Sequence, residues 1–161
     1  AMAKKDFLAL NVVWRRSTLT WKRKLAIYAA LIESKLLYGL SSICLTVAQE
    51  RQLNCFQNRC VRVIIGAHPA YVSLTSNATV LQMSGHTYAT QLLRMRQLAM
   101  LDRVLRCPEG NALRDATFIP GNNYPLIERF VRRRGRPCKE WLRNLIPTYR
   151  EQFGEVQVLA A

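Results

Sequence analysis

Acidic side chains are scarce in this chain. Ten Asp and Glu stand against twenty-four Lys and Arg, a formal net charge of +14. The three aspartates, Asp6, Asp102 and Asp115, fall far apart. Nucleotidyl transfer needs close carboxylates that hold two metal ions, so that chemistry is not expected here. Histidine is nearly absent: neither His68 nor His86 has an Asp or Glu within several residues, which leaves few general bases. Glycines form no phosphate-binding loop, and Gly135 stands alone among arginines. The longest apolar run, Leu25 to Leu45, is interrupted by Glu33, Lys35 and Gly39. A bilayer span takes ~20 apolar residues, so no membrane insertion is expected. The start, Ala1 to Lys5, lacks the residue order of a signal peptide. The chain is expected to be no enzyme by itself, and to use no metal and no cofactor.

Cysteine is present without a framework. Cys44, Cys55, Cys60, Cys107 and Cys138 are odd in number and scattered, as in a reducing compartment. Cys55, Cys60 and His68 are the nearest approach to a zinc set. Two thiols five residues apart share a helix face poorly, and no fourth ligand is evident. Buried free thiols are the expectation.

What is abundant is apolar and basic. Half of the residues are apolar, enough for a core. From Arg94 onward there is a single lysine, Lys139. The planar guanidinium pairs with phosphate through two bonds, so this arginine bias points to nucleic acid as the partner, ahead of an anionic membrane surface or an acidic protein.

The apolar spacing is helical nearly throughout, and the predicted fold class is all-α. Helices are expected at Phe7 to Arg16, Trp21 to Tyr38, Val47 to Ile65, Ala78 to Ser84 and Thr87 to Cys107. Leu25, Tyr28, Ile32 and Leu36 should form one buried face, with Lys22, Arg23, Lys24 and Lys35 off it. Leu53, Phe56, Cys60 and Val63 should form another, with Arg51, Arg59 and Arg62 projecting elsewhere. Thr46 and Gln49 have the spacing of a capping box, and Gly39, Gly66 and Gly85 are stop signals. The helix from Thr87, apolar on more than one side, should be the most buried. Ala67 to Ser76 should be a loop. Residues 1–107 are thus expected to form a helical bundle, 108–125 a linker or long loop, and 126–161 a basic C-terminal helical extension. In that extension a last helix should cover Cys138 to Leu145, and Pro147 a further turn.

Helices that combine an apolar stripe with a one-sign basic side suit a phosphate track better than plain solubility. The candidate contacts are Lys22, Arg23, Lys24, Arg59, Arg62, Arg94, Arg96 and Arg103. The run Arg132, Arg133, Arg134, Gly135, Arg136, Pro137 adds four more arginines. Its Arg-Gly-Arg-Pro core allows a phosphate-contacting turn, a solvated turn or a minor-groove hook. Among the aromatic residues, Trp21, beside Lys22, is the one placed for nucleic acid.

Four segments resemble one family. Trp21 to Gly39 (WKRKLAIYAALIESKLLYG) resembles the helix that follows the palm in non-LTR retrotransposon (LINE-type) reverse transcriptases. Leu53 to Gly66 (LNCFQNRCVRVIIG) resembles that family's next helix, and Asn77 with Val80 and Leu81 a following Asn-containing one. Gly135 to Trp141 (GRPCKEW) resembles its late Gly-Arg-Pro signature. The resemblance implies the thumb and the region just beyond it, a helical bundle that grips template-primer duplex by its backbone, without the catalytic palm. It makes Lys22, Lys24, Arg59 and Arg62 duplex contacts and the tail arginines contacts to target DNA or element RNA. A nuclear or cytoplasmic ribonucleoprotein is the implied setting. The protein partner would be an upstream palm. Alternatively the chain is a domesticated retroelement fragment, a basic structural subunit of a ribonucleoprotein or other large assembly.

Overall fold

A computed structural model describes residues 2–16, 18–121, 126 and 141–153. Among these the fold is all-α, with one isolated bridge position at Phe118 and no strand. The chain divides into two compact units. The first comprises residues 1–40 and 45–93; the second comprises 41–44 and 94–161. The division falls inside a helix, at Arg94, and not after Cys107.

In the first unit the expected opening helix is two, α1 (Met2–Ala9) and α2 (Asn11–Arg16), turned at Leu10. Phe7 and Trp14 are buried with their rings stacked 5.2 Å apart, and the Trp14 indole N–H donates to the Phe7 carbonyl at 2.8 Å. Next comes α3 (Trp21–Tyr28). It continues through a wide π turn at Ala29–Glu33 into α4 (Ser34–Leu36), and Gly39 follows at φ +71°. The π turn inserts one residue into the periodicity. Leu25, Tyr28 and Ile32 are buried as expected, but beyond the turn it is Leu37, not Leu36, that is fully buried. The same shift takes Glu33 inside.

The longest helix, α5 (Val47–Ile65), has the predicted bounds. Thr46 and Gln49 close the capping box in both directions, and Gly66 ends the helix at φ +78°, a left-handed conformation that costs glycine least. Its buried face is rotated from the expected one. Leu53 and Cys60 are inside, but Gln57, Val61 and Ile64 take the deep positions, while Phe56 and Val63 are half-buried. The stretch after Gly66 holds a single helical turn, α6 (Ala70–Ser73). Ser76 caps α7 (Asn77–Ser84) by accepting from the Thr79 N–H.

Then comes α8 (Ala89–Leu105), whose first N–H groups are capped by two amides of α5. The Gln57 carbonyl oxygen accepts from the Ala89 N–H at 2.7 Å, and the Asn54 oxygen accepts from the Thr90 N–H at 3.2 Å. An N-terminal helix N–H left without an acceptor costs about as much as a lost hydrogen bond. This explains a fully buried glutamine where an apolar residue was expected.

The second unit has its own core of Leu98, Leu101, Val104, Phe118, Leu142, Leu145 and Tyr149. Residues 112–115 form a further turn, α9 (Ala112–Asp115), and Phe118 is 1% exposed, so part of the expected linker is core. The last described helix is α10 (Trp141–Phe153), which runs past the predicted end at Leu145 with Pro147 inside it; the predicted start at Cys138 lies outside the described residues. Proline removes a backbone donor and loosens the turn before it. There Arg94 donates to the Asn144 carbonyl and to the Thr148 hydroxyl. The apolar positions of α8 serve two cores, Ala89 and Leu93 in the first unit and Leu98 to Val104 in the second. It is not buried all round: Met95 is 62% exposed.

Candidate functional site

Four cations of the first unit line one cleft of about 1140 Å³. Its walls come from the end of α2, the start of α3, the second half of α5 and the turn after Gly66. Arg15, Lys24, Arg59 and Arg62 line it, together with Trp21 and Tyr71. No Asp or Glu is among the lining residues.

The start of α3 breaks a local rule. Lys22, Arg23 and Lys24 occupy its first turn, which holds no acidic residue, and Thr20 provides no side-chain cap. A helix N-terminus is electropositive, so each cation there costs about 0.3–1 kcal/mol and an anion would be favoured. Lys22 and Arg23 are exposed, and the Lys22 ammonium lies over the Trp21 ring, 5.7 Å from its centroid. Lys24 differs from its expected placement. It is buried, and its ammonium donates to the Trp14 carbonyl at 2.8 Å. The π turn lies downstream of this contact and does not explain it. What draws the ammonium inward is the free carbonyl at the end of α2, which a four-carbon stem can reach.

Arg62 also corrects its expected outward projection. It is buried and ties down the segment after Gly66. Its guanidinium donates to the Asn77 oxygen at 2.9 Å and to the carbonyls of His68 and Thr75, both at 2.6 Å. Only a planar fork with five donors meets acceptors in so many directions. The held segment contains Leu74 at φ +52°, strained for a non-glycine, and exposes Tyr71, Val72 and Leu74. Among the described residues Arg62 has no carboxylate partner, and Lys24 has no ion pair either. Two buried cations with neutral partners therefore face the same cleft.

Arg59 is exposed on α5 at the cleft, as is Arg15, which the sequence did not single out. Tyr71 was likewise unmarked: it sits on the single turn α6, too short for a periodicity to flag it. In the second unit Arg96 and Arg103, two helical turns apart, are exposed, whereas Arg94 is half-buried in the contact with α10. Arg132, Arg133, Arg134 and Arg136 lie outside the described residues.

The thiols divide by position. Cys55 is exposed, Cys44 and Cys107 half-buried, and Cys60 buried. Burial pushes the Cys60 thiol up to about 12 from its ordinary 9.0. Burial also raises Tyr28, whose hydroxyl has no hydrogen-bond partner, with Cys60 and Glu33 adding to the shift. Among the described residues no three His, Cys, Asp or Glu side chains gather as a metal site, and no helix is long and apolar enough to cross a membrane.

Compared with protein-family models, curated proteins and solved structures, the chain matches none.

Proposed function

We propose that this chain grips nucleic acid by its phosphates, as a non-catalytic module of the kind found in the thumb of LINE-type reverse transcriptases. The observation that carries the reading is the cleft of the first unit, walled by four cations and no carboxylate. The net charge of +14 supplies the long-range attraction. Duplex or structured RNA or DNA is the ligand, with little base preference, because phosphate contacts carry no sequence information. The family assignment rests on the four sequence segments quoted above. Two of them meet in the fold, through the bond from Arg62 to Asn77. An upstream palm as protein partner, and a nuclear or cytoplasmic ribonucleoprotein as setting, belong to the same proposal.

The test is a binding titration against salt. Each phosphate neutralised releases counterions, so the logarithm of affinity should fall linearly with that of salt concentration. Four to six contacts predict a loss of roughly a hundredfold to a thousandfold between 50 and 200 mM. A flat response overturns the proposal, and so does metal-dependent primer extension or strand cleavage by this chain alone for its non-catalytic part.

A second reading has its own observation. Tyr71, Val72 and Leu74 form a run of exposed apolar side chains, 57–91% accessible, on α6 and the residue that ends it. Such a patch suits a subunit of a larger assembly that covers it with protein. A chain that stays soluble and monomeric without a partner favours the first reading.

A further inference from the structure

A duplex backbone explains the cations of the cleft but not its aromatics. Trp21 and Tyr71 line it beside Arg15, Lys24 and Arg59. Its volume, about 1140 Å³, slightly exceeds the roughly 300–1,000 Å³ typical of small-molecule sites. A base in a duplex has both faces covered by its neighbours and cannot offer one to a side chain. An unpaired base can, and stacking on aromatic side chains with phosphates on nearby cations is the usual mode of single-strand binding.

We propose that this cleft takes an unpaired nucleotide of a nucleic-acid strand, its base against Trp21 and Tyr71 and its phosphate between Arg15, Lys24 and Arg59. The inference rests on the nucleic-acid reading above and names the form of ligand at this site. Three features support it independently of net charge. The first turn of α3 carries three cations where helix electrostatics favour an anion. Lys24, 8% exposed, is a buried cation at the cleft with no ion pair among the described residues, so a bound phosphate would relieve the cost of its burial. Tyr71, 84% exposed, rides on a segment whose ends Arg62 ties with hydrogen bonds to the carbonyls of His68 and Thr75 and the Asn77 oxygen, so the aromatic is presented on a held helical turn. The Lys22 ammonium over Trp21 holds that ring beside the cleft.

The experiment uses the full chain and two fluorescent probes of equal length, a twelve-residue oligo(dT) and a blunt DNA duplex. Stacking contributes enough that Trp21→Leu should weaken oligo(dT) binding by about tenfold to a hundredfold. Duplex binding should change less than twofold, and Trp21→Phe should keep most of the single-strand affinity. Tyr71→Ala should act in the same direction as Trp21→Leu. Because Tyr71 is nearly fully exposed, it keeps the test decisive if Trp21→Leu is unstable. The proposal is overturned if both variants leave oligo(dT) binding intact, or weaken both probes equally. If the wild-type chain binds the duplex with the expected salt slope but the variants do not discriminate, only this inference falls. If it binds neither probe, the nucleic-acid reading falls with it.

Discussion

A buried cation reads in sequence like a surface one, and two positions here show what the difference means. Lys24 and Arg62 were expected outside, and both hold neighbouring backbone in place. Arg62→Ala should destabilise the first unit by about 2–4 kcal/mol in urea unfolding, since the carbonyls of His68 and Thr75 and the Asn77 amide lose a charged donor together. Arg62→Lys should recover only a small part, because an ammonium cannot span the three acceptors. Cys60 gives a pH prediction with a definite sign. Its thiol ionises near 9.0 when unfolded and at about 12 when folded. Below pH 9 the proton is held in both states and stability is unaffected. Above it the unfolded chain ionises first, so stability falls by up to about 1.4 kcal/mol per pH unit. Cys60→Ala should remove that component of the alkaline slope. At neutral pH, alkylation should modify exposed Cys55 well before Cys60. Equal labelling rates would contradict this placement.

Helix ends were legible where their signals are local. Thr46, Gln49 and Gly66 are within a turn of the ends they define, and α5 has its predicted bounds. The start of α8 depends on residues of another helix, so no local signal could mark it. Gln57 and Asn54 lie three positions apart on α5 and meet the first backbone N–H groups of α8. Gln57→Leu keeps the volume and removes that acceptor. Thermal and urea unfolding should show a cost of about 2–3 kcal/mol, despite the gain in apolar character. Equal stability would mean that the buried amide contributes nothing as a cap. The π turn at Ala29–Glu33 has the same lesson in a different form. It changes which residue is inside, Leu37 in place of Leu36, although the apolar pattern fits an unbroken helix.

For the molecule as a whole, charge acts on folding and on binding with opposite signs. Among the described residues there are two ion pairs, Lys35 with Asp6 and Arg106 with Asp102, so a net charge of +14 is left to repel itself. Salt screens that repulsion. Raising NaCl from 50 to 200 mM should therefore raise the unfolding temperature by a few degrees while it weakens nucleic-acid binding. A melting temperature that falls in parallel with affinity would show that attractive ion pairs dominate the fold. Excess nucleic acid should also raise the melting temperature at low salt, by mass action on the folded state.

Sequence alone determined the all-α class, most of the helices between Trp21 and Leu105, and the unbalanced positive charge. Each follows from composition or from spacing along one chain, where a helix turns through a known angle per residue. Tertiary structure decided which cations are used inside, Lys24, Arg62 and Arg94, and which remain outside, Lys22, Arg23, Arg59, Arg96 and Arg103. It also decided that Arg15, Trp21, Arg59 and Tyr71 share one cleft. The scarcity of acidic side chains with which the sequence opened has a local counterpart: the walls of that cleft carry cations and no acid. The reason is physical. A guanidinium or ammonium on a long stem is placed by the acceptors within its reach, and those come from segments distant in sequence.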